Sequence, residues 1–350
     1  MTSPLSVGTL LSDVQPEQVR WLWQGRIPLG KITVIDGDPG LGKSLITLDL
    51  ASRVSRGGQM PDGTPGPQGG VVLASGEDGL ADTVRPRLEA TDADLTRIVD
   101  ITITVQEKGQ LLKIPDDLAQ LDQAILRVDA VLVVIDPVYS FLNQKVNTDK
   151  DAQIRQALTQ LAKLAERLRV AIVLVRHLNK ADEKKALYRG GGSMGLIGLA
   201  RSGLLVAKSR KSQGNVLASL KCNLAARPPA LVFKIEAKKE GVPLIDWLGE
   251  GTETADELTL QFRTSKTQEA VVFVTDALSK EALASSALEA MAAQAGIASK
   301  TYQRARKVAG VESRQTRDGW LSYIPTQMVT QSDSQVLGGA DGEQVTGGLA

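Results

Sequence analysis

Residues 37–44, Gly37-Asp38-Pro39-Gly40-Leu41-Gly42-Lys43-Ser44, fit the pattern G-x-x-x-x-G-K-[ST]. A short apolar run precedes them at 31–36 (KITVID), and an amphipathic stretch follows at 45–56 (LITLDLASRVSR), ending at Gly57-Gly58. Strand, glycine-rich loop and helix in that order make a phosphate cradle. Glycines let backbone N–H groups turn inward around phosphate oxygens, and the helix presents its positive end to the anion. Lys43 supplies charge for the β- and γ-phosphates, and Ser44 supplies a hydroxyl for Mg²⁺. ATP with Mg²⁺ is therefore the expected ligand. A glycine- and proline-rich surface turn is the competing reading, and the flanking strand and helix argue against it.

The rest of the chain alternates in the same way. Buried strands are expected at 71–75, 98–104, 131–135 and 171–175, and helices at 80–90, 115–128 and 150–168. VLVVI and AIVLV are apolar at every position, so both faces of those strands need cover. The fold class is α/β, with a mostly parallel central sheet and helices on both sides. Beyond residue 199, short strands at 202–207, 216–221 and 231–238 suit hairpins at one sheet edge. Residues 249–265 read as a linker, 266–325 as a small helical unit and 326–350 as a disordered tail. The ATPase region is 1–248, with its core at about 18–248.

Composition narrows the options. Net charge is +1, so nucleic-acid binding would have to come from local patches rather than overall charge. One cysteine, Cys222, leaves no internal disulfide to form and fits a reducing compartment. There is no run of 18 apolar residues and no charged-then-apolar start. A cytoplasmic protein without a membrane partner is expected.

Four strand-end residues carry the candidate chemistry. Asp136 follows VLVVI, where the Mg²⁺ shell needs an acceptor; the alternative is an Asp that merely starts the turn before Pro137. Glu77 follows the strand at 71–75 and suits a base for the attacking water, with Asp78 as competitor and a solvated turn acid as the plain alternative. His177, the only histidine, follows AIVLV and suits a hydrogen bond to the γ-phosphate, although lone histidines are more often structural. One histidine without cysteine partners makes a poor transition-metal site. Arg201 precedes an edge strand and suits a finger reaching a neighbouring subunit's nucleotide, against a surface ion pair.

Together these segments resemble a family. The stretches 21–44 (WLWQGRIPLGKITVIDGDPGLGKS), 75–88 (SGEDGLADTVRPRL), 135–137 (IDP), 176–180 (RHLNK) and 189–208 (RGGGSMGLIGLARSGLLVAK) are similar to the RepA-like branch of RecA-type ATPases. That branch includes plasmid and phage hexameric replicative helicases. The resemblance covers about residues 18–248. It implies a RecA-like fold, a ring of six subunits and ATP bound between them. It also implies that Lys43 and Ser44 hold phosphate and Mg²⁺, Glu77 is the base, Asp136 the magnesium-side acid, His177 the γ-phosphate sensor and Arg201 a finger in trans. Lys221, in Lys221-Cys222-Asn223, matches the family's K-x-N strand and would approach a neighbouring nucleotide.

Two segments are candidates for DNA. The loop 179–193 (NKADEKKALYRGGGS) carries Lys180, Lys184, Lys185 and Arg189, which suit a channel tracking single-stranded DNA; Asp182 and Glu183 weaken that reading. The helix–turn–helix pattern at 282–309 has a basic second helix with Lys300, Arg304, Arg306 and Lys307, and resembles a winged helix. It suits DNA or a protein partner. The leading expectation is a DNA-coupled ATPase, a ring-shaped replicative helicase of a plasmid, phage or integrated element, with a primase or replication initiator as possible partner. A non-translocating ATP-dependent regulator or loader is the alternative, and a small-molecule P-loop kinase ranks third.

Overall fold

The computed structural model describes residues 8–105, 108–144, 146–147, 150–177, 195–237, 241–261, 266–279, 281–317 and 319–325. The chain forms two compact units, Met1–Phe262 and Arg263–Ala350.

The first unit begins with a small hairpin, β1 (Trp21–Trp23) and β2 (Ile27–Pro28). Next come β3 (Ile32–Gly37), α1 (Lys43–Arg56), β4 (Gly70–Ser75), a π-type turn at Leu80–Val84, α2 (Arg85–Ala90) and β5 (Ile98–Asp100). A separate hairpin, β6 (Thr102–Val105) and β7 (Lys108–Leu111), leads to α3 (Leu118–Val128) and β8 (Ala130–Asp136). Then follow α4 (Asp151–Leu168), β9 (Ala171–His177), α5 (Gly195–Leu199) and β10 (Ser202–Lys208). The unit closes with β11 (Asn215–Cys222), β12 (Ala230–Ala237), β13 (Pro243–Gly251) and α6 (Ala255–Gln261).

Nine strands form one sheet in the order β13-β12-β11-β10-β3-β9-β8-β4-β5. The strands from β10 to β5 run parallel, and β11, β12 and β13 extend the sheet in antiparallel fashion. This is the α/β class expected, a mostly parallel central sheet with antiparallel strands added at one edge. Side chains alternate across each strand, so one apolar run serves two cores. Ile32, Val34, Val133, Ile135, Ile172 and Leu174 join α3 and α4 in one buried cluster. Ile35, Leu132, Val134 and Val173 meet Ile46, Leu50 and Val54 of α1 in another.

Three expectations need correction. The strand expected at 98–104 breaks at Ile101, because β6 turns away to pair with β7. The helix expected at 80–90 divides at Arg85. Pro86 lies in the first turn of α2, where its missing N–H is tolerated, and the residues before it form the π-type turn. The expected linker at 249–265 is ordered up to Gln261. Residues 249–251 complete β13, and α6 buries Ala255 and Leu258 against Leu205, Val216 and Ala218.

The second unit contains α7 (Lys266–Ala277), β14 (Leu283–Ala284), α8 (Ser285–Gln294), α9 (Ser299–Val308), β15 (Glu312–Thr316) and β16 (Gly319–Tyr323). Its sheet has the order β14-β16-β15. Val274, Leu278, Leu288, Ala292 and Tyr302 form its core. The tail reading for 326–350 falls outside the described residues.

Candidate functional site

Four parallel strands deliver the candidate residues to one rim. Gly37 at the end of β3 lies opposite His177 at the end of β9, and Ser75 of β4 lies opposite Asp136 of β8. Glu77 follows Ser75 in the next turn. The sequence folds this way because the apolar runs end here, and the first polar residues after them emerge at the same sheet edge. Gly37 is required sterically, since a Cβ there would stand 2.6 Å from the backbone oxygen of Val206. Gly42 caps α1 at φ 91°, a conformation that favours glycine, and packs beneath Ile235 and Ile245.

Lys43 opens α1 and is 4% exposed. Its Nζ donates to the carbonyls of Gly37 (2.9 Å) and Asp38 (2.8 Å). Burial lowers its pKa, and the carboxylates of Asp136, Asp38, Asp36 and Glu77 oppose that shift. Burial raises the pKa of Asp136, against the pull of the Ser44 hydroxyl, Lys43 and His177. Ser44, Ser75, Glu77, Asp78 and Asp136 line one cleft. Glu77 Oε2 stands 3.8 Å from His177 Nε2. Asp78, the competing acid, is held by Arg87 at 2.9 Å. His177 Nδ1 is buried without a hydrogen-bond partner among the described residues.

A desolvated carboxylate beside a hydroxyl and an ammonium suits a hard divalent cation. Among the described residues no group of three His, Cys, Asp or Glu side chains is placed to hold a metal alone. The donor set at this rim therefore fits Mg²⁺ shared with phosphate oxygens, the usual way this ion is bound.

Arg201 and Lys221 are not at this rim. The Arg201 N–H donates to the carbonyl of Ile32, at the start of β3 (3.1 Å). Lys221 pairs with Gly203, and its Nζ donates to the carbonyls of Ile197 (2.8 Å), Gly198 (3.3 Å) and Ala200 (2.8 Å). Burial lowers the Lys221 pKa, with Arg201 and Arg155 adding to the effect. This cationic cluster occupies the end of the sheet away from the phosphate loop.

A family model described as an AAA domain matches residues 2–183. The chain belongs to the AAA domain family. That match spans Lys43, Ser44, Glu77, Asp136 and His177 and ends before Arg201 and Lys221. The DNA repair protein RadA of Halalkalibacterium halodurans is 25% identical over 170 residues, covering 48% of this chain and 32% of that protein. RadA of Mycobacterium tuberculosis is 29% identical over 163 residues, covering 46% and 29%. The chain thus spans about a third of the length of these curated relatives. A crystal structure of a KaiC-like protein from Pyrococcus horikoshii aligns with 16% identity and a TM-score of 0.44, covering 65% of this chain and 99% of that one. The chain carries a P-loop ATPase domain.

Several residues of this AAA domain escaped sequence reasoning. Asp36 and Arg176 form a buried ion pair just behind the rim. Opposite charges at the same depth of two apolar runs were the available signal. Trp23 and Arg26 both donate to Asp62, at 2.9 and 2.6 Å, and Trp247 of β13 donates to Asp49 of α1 at 2.9 Å. The first two bonds tie the β1–β2 hairpin to the segment after α1, and the third ties β13 to α1, the helix behind the phosphate loop. Lys180, Lys184, Lys185 and Arg189 lie outside the described residues. In the second unit Lys300, Arg304 and Lys307 are exposed on α9. Arg306, expected to face DNA with them, turns inward. It donates to Ser313 (2.6 Å) and Ser322 (3.2 Å) and lies over Tyr302, because the β15–β16 sheet offers it hydroxyl partners. Among the described residues no helix is long and apolar enough to cross a membrane.

Proposed function

We propose that this chain hydrolyses ATP at an interface between two copies of itself and couples the cycle to DNA, as the ring-shaped motor of a plasmid, phage or integrated element. One observation carries the reading. The phosphate loop and its acids sit at one end of the sheet, and a cationic cluster able to complete them sits at the other.

In this mechanism the loop N–H groups and Lys43 bind the phosphates, and Lys43 exchanges its carbonyl bonds for phosphate oxygens. Ser44 and Asp136 would hold Mg²⁺, which when bound neutralises phosphate charge. Glu77 orients the attacking water and accepts its proton. His177, whose Nε2 lies 3.8 Å from Glu77, hydrogen-bonds the γ-phosphate or that water in this reading. Arg201 and Lys221 of a neighbouring copy offset charge on the transferring phosphoryl group. The motor role, a six-membered ring and the RepA-like branch are supported by the motif order; the names of the RadA relatives point to DNA.

The test is ATP turnover with and without single-stranded DNA, together with strand displacement on a forked duplex. DNA stimulation and displacement are expected. An assembled sample showing neither would reject the motor. The exposed cations of α9 favour one second reading, a non-translocating regulator or loader that grips DNA or a protein partner, such as a primase or initiator, through a winged-helix-like unit. Nucleotide-dependent binding without unwinding would select it.

A further inference from the structure

Asp36 and Arg176 are direct cross-strand partners on β3 and β9. Arg176 Nε donates to Asp36 Oδ1 at 2.7 Å and Nη2 to Oδ2 at 2.6 Å, with both side chains 1% exposed. Burial alone would lower the Arg176 pKa, but the Asp36 carboxylate holds it above the ordinary arginine value. Both residues continue the alternation of Ile32, Val34, Ile172 and Leu174, so they lie on the α3/α4 face, behind the rim. The Tyr139 hydroxyl also helps to hold the Arg176 pKa up.

A buried ion pair is a poor way to stabilise a core. Desolvation offsets most of the attraction, and apolar residues of similar size often serve as well or better. The position of this pair gives it another use. Asp36 immediately precedes Gly37, where the phosphate loop begins. Arg176 immediately precedes His177. Tyr139 belongs to the short segment entered directly after Asp136 and Pro137. One planar guanidinium, carried by the residue before the histidine, thus grips the residue before the loop and feels Tyr139 of the segment after the metal-side acid, and its fork fixes direction as well as distance.

We propose that Arg176, paired with Asp36 and bearing on Tyr139, is a positioning residue that sets where His177 and Asp136 stand relative to the phosphate loop. The inference rests on the ATPase reading above for its consequence in turnover, but the clamp itself has an independent readout. His177 is the chain's single histidine, so its imidazole gives one Hε1 NMR resonance.

The experiment compares the full chain with Asp36→Leu/Arg176→Met, which replaces the pair with apolar residues, and with Arg176→Lys, which keeps the charge but loses the fork. Melting temperature, ATP turnover and the His177 imidazole resonance with and without a non-hydrolysable ATP analogue are measured on each. The apolar variant is expected to melt no lower than the parent. Its kcat should fall about 10- to 100-fold, as for a small misplacement of reacting groups, with KM changed less than about threefold. Its His177 signal should shift and lose its response to the analogue, and Arg176→Lys should show the same split if the apolar variant fails to fold. A folded variant with parental turnover and an unmoved His177 signal would overturn the proposal. If the parent itself shows no turnover, the ATPase reading fails, and the histidine resonance alone still decides the clamp.

Discussion

Arg201 offers the sharpest test of where the nucleotide is completed. Val206 of β10 lies opposite Gly37, and Arg201, the residue just before β10, stands five residues earlier in the chain. At a rise of about 3.3 Å per residue the backbone of Arg201 is roughly 16 Å from the start of the phosphate loop. No arginine side chain spans that gap within one chain. Arg201→Ala should therefore leave nucleotide binding intact and lower turnover by about 10³-fold or more, the range for loss of such a finger. Glu77→Gln should also be inactive, through the other side of the interface. Mixed in equal amounts, the two variants rebuild an intact interface wherever Arg201→Ala supplies the cleft and Glu77→Gln supplies the arginine. Random assembly in a head-to-tail array makes about a quarter of interfaces of that kind, so activity should recover to about a quarter of the parental rate. The assay is phosphate release from the single variants and from the mixture after subunit exchange. Parental turnover by Arg201→Ala alone, or no recovery in an exchanged mixture, would refute the reasoning.

Other outcomes follow from local geometry. Gly37→Ala places a methyl 2.6 Å from a backbone oxygen that cannot rotate away; the cost should be about 1–3 kcal/mol and, for a unit of this size, about 2–12 °C in melting temperature by calorimetry. Asp136 has a raised pKa in the folded chain. Below 3.8, its ordinary value, it is protonated folded or unfolded, and as pH rises through the folded value its ionisation works against folding. Asp136→Asn should thus melt higher than the parent at neutral pH, lose that advantage in acid, and be inactive in phosphate release. Arg306→Ala should destabilise the second unit by about 1–2 kcal/mol through its lost serine bonds. Arg304→Ala and Lys307→Ala should leave stability within about 0.5 kcal/mol. If α9 contacts DNA, each of these two should reduce the salt slope of binding by about one, which titration at several salt concentrations would show.

Much of the site was legible because its signals are local. The phosphate loop is contiguous, and Asp136 and His177 each end an apolar run whose depth fixes where it emerges. Glu77 was preferred to Asp78 from the sequence, but the Arg87 contact that occupies Asp78 comes from the following helix and was not legible there. The Asp36–Arg176 pair was hidden because 140 residues separate its members and only strand order brings them together. The last three residues of β13 and all of α6 were read as a linker because their polar, glycine-containing sequence masks a few well-placed apolar contacts. The inward turn of Arg306 depends on serines in two later strands, so a basic helix face read from spacing alone overcounts the free cations.

The separation of the acidic cleft from the Arg155, Arg201 and Lys221 cluster carries a consequence for assembly. In the head-to-tail array proposed above, the cleft of one copy meets the cluster of the next, so the array has a direction. An open stack always ends in one subunit whose cleft has no complement, and only closure on itself removes that defect.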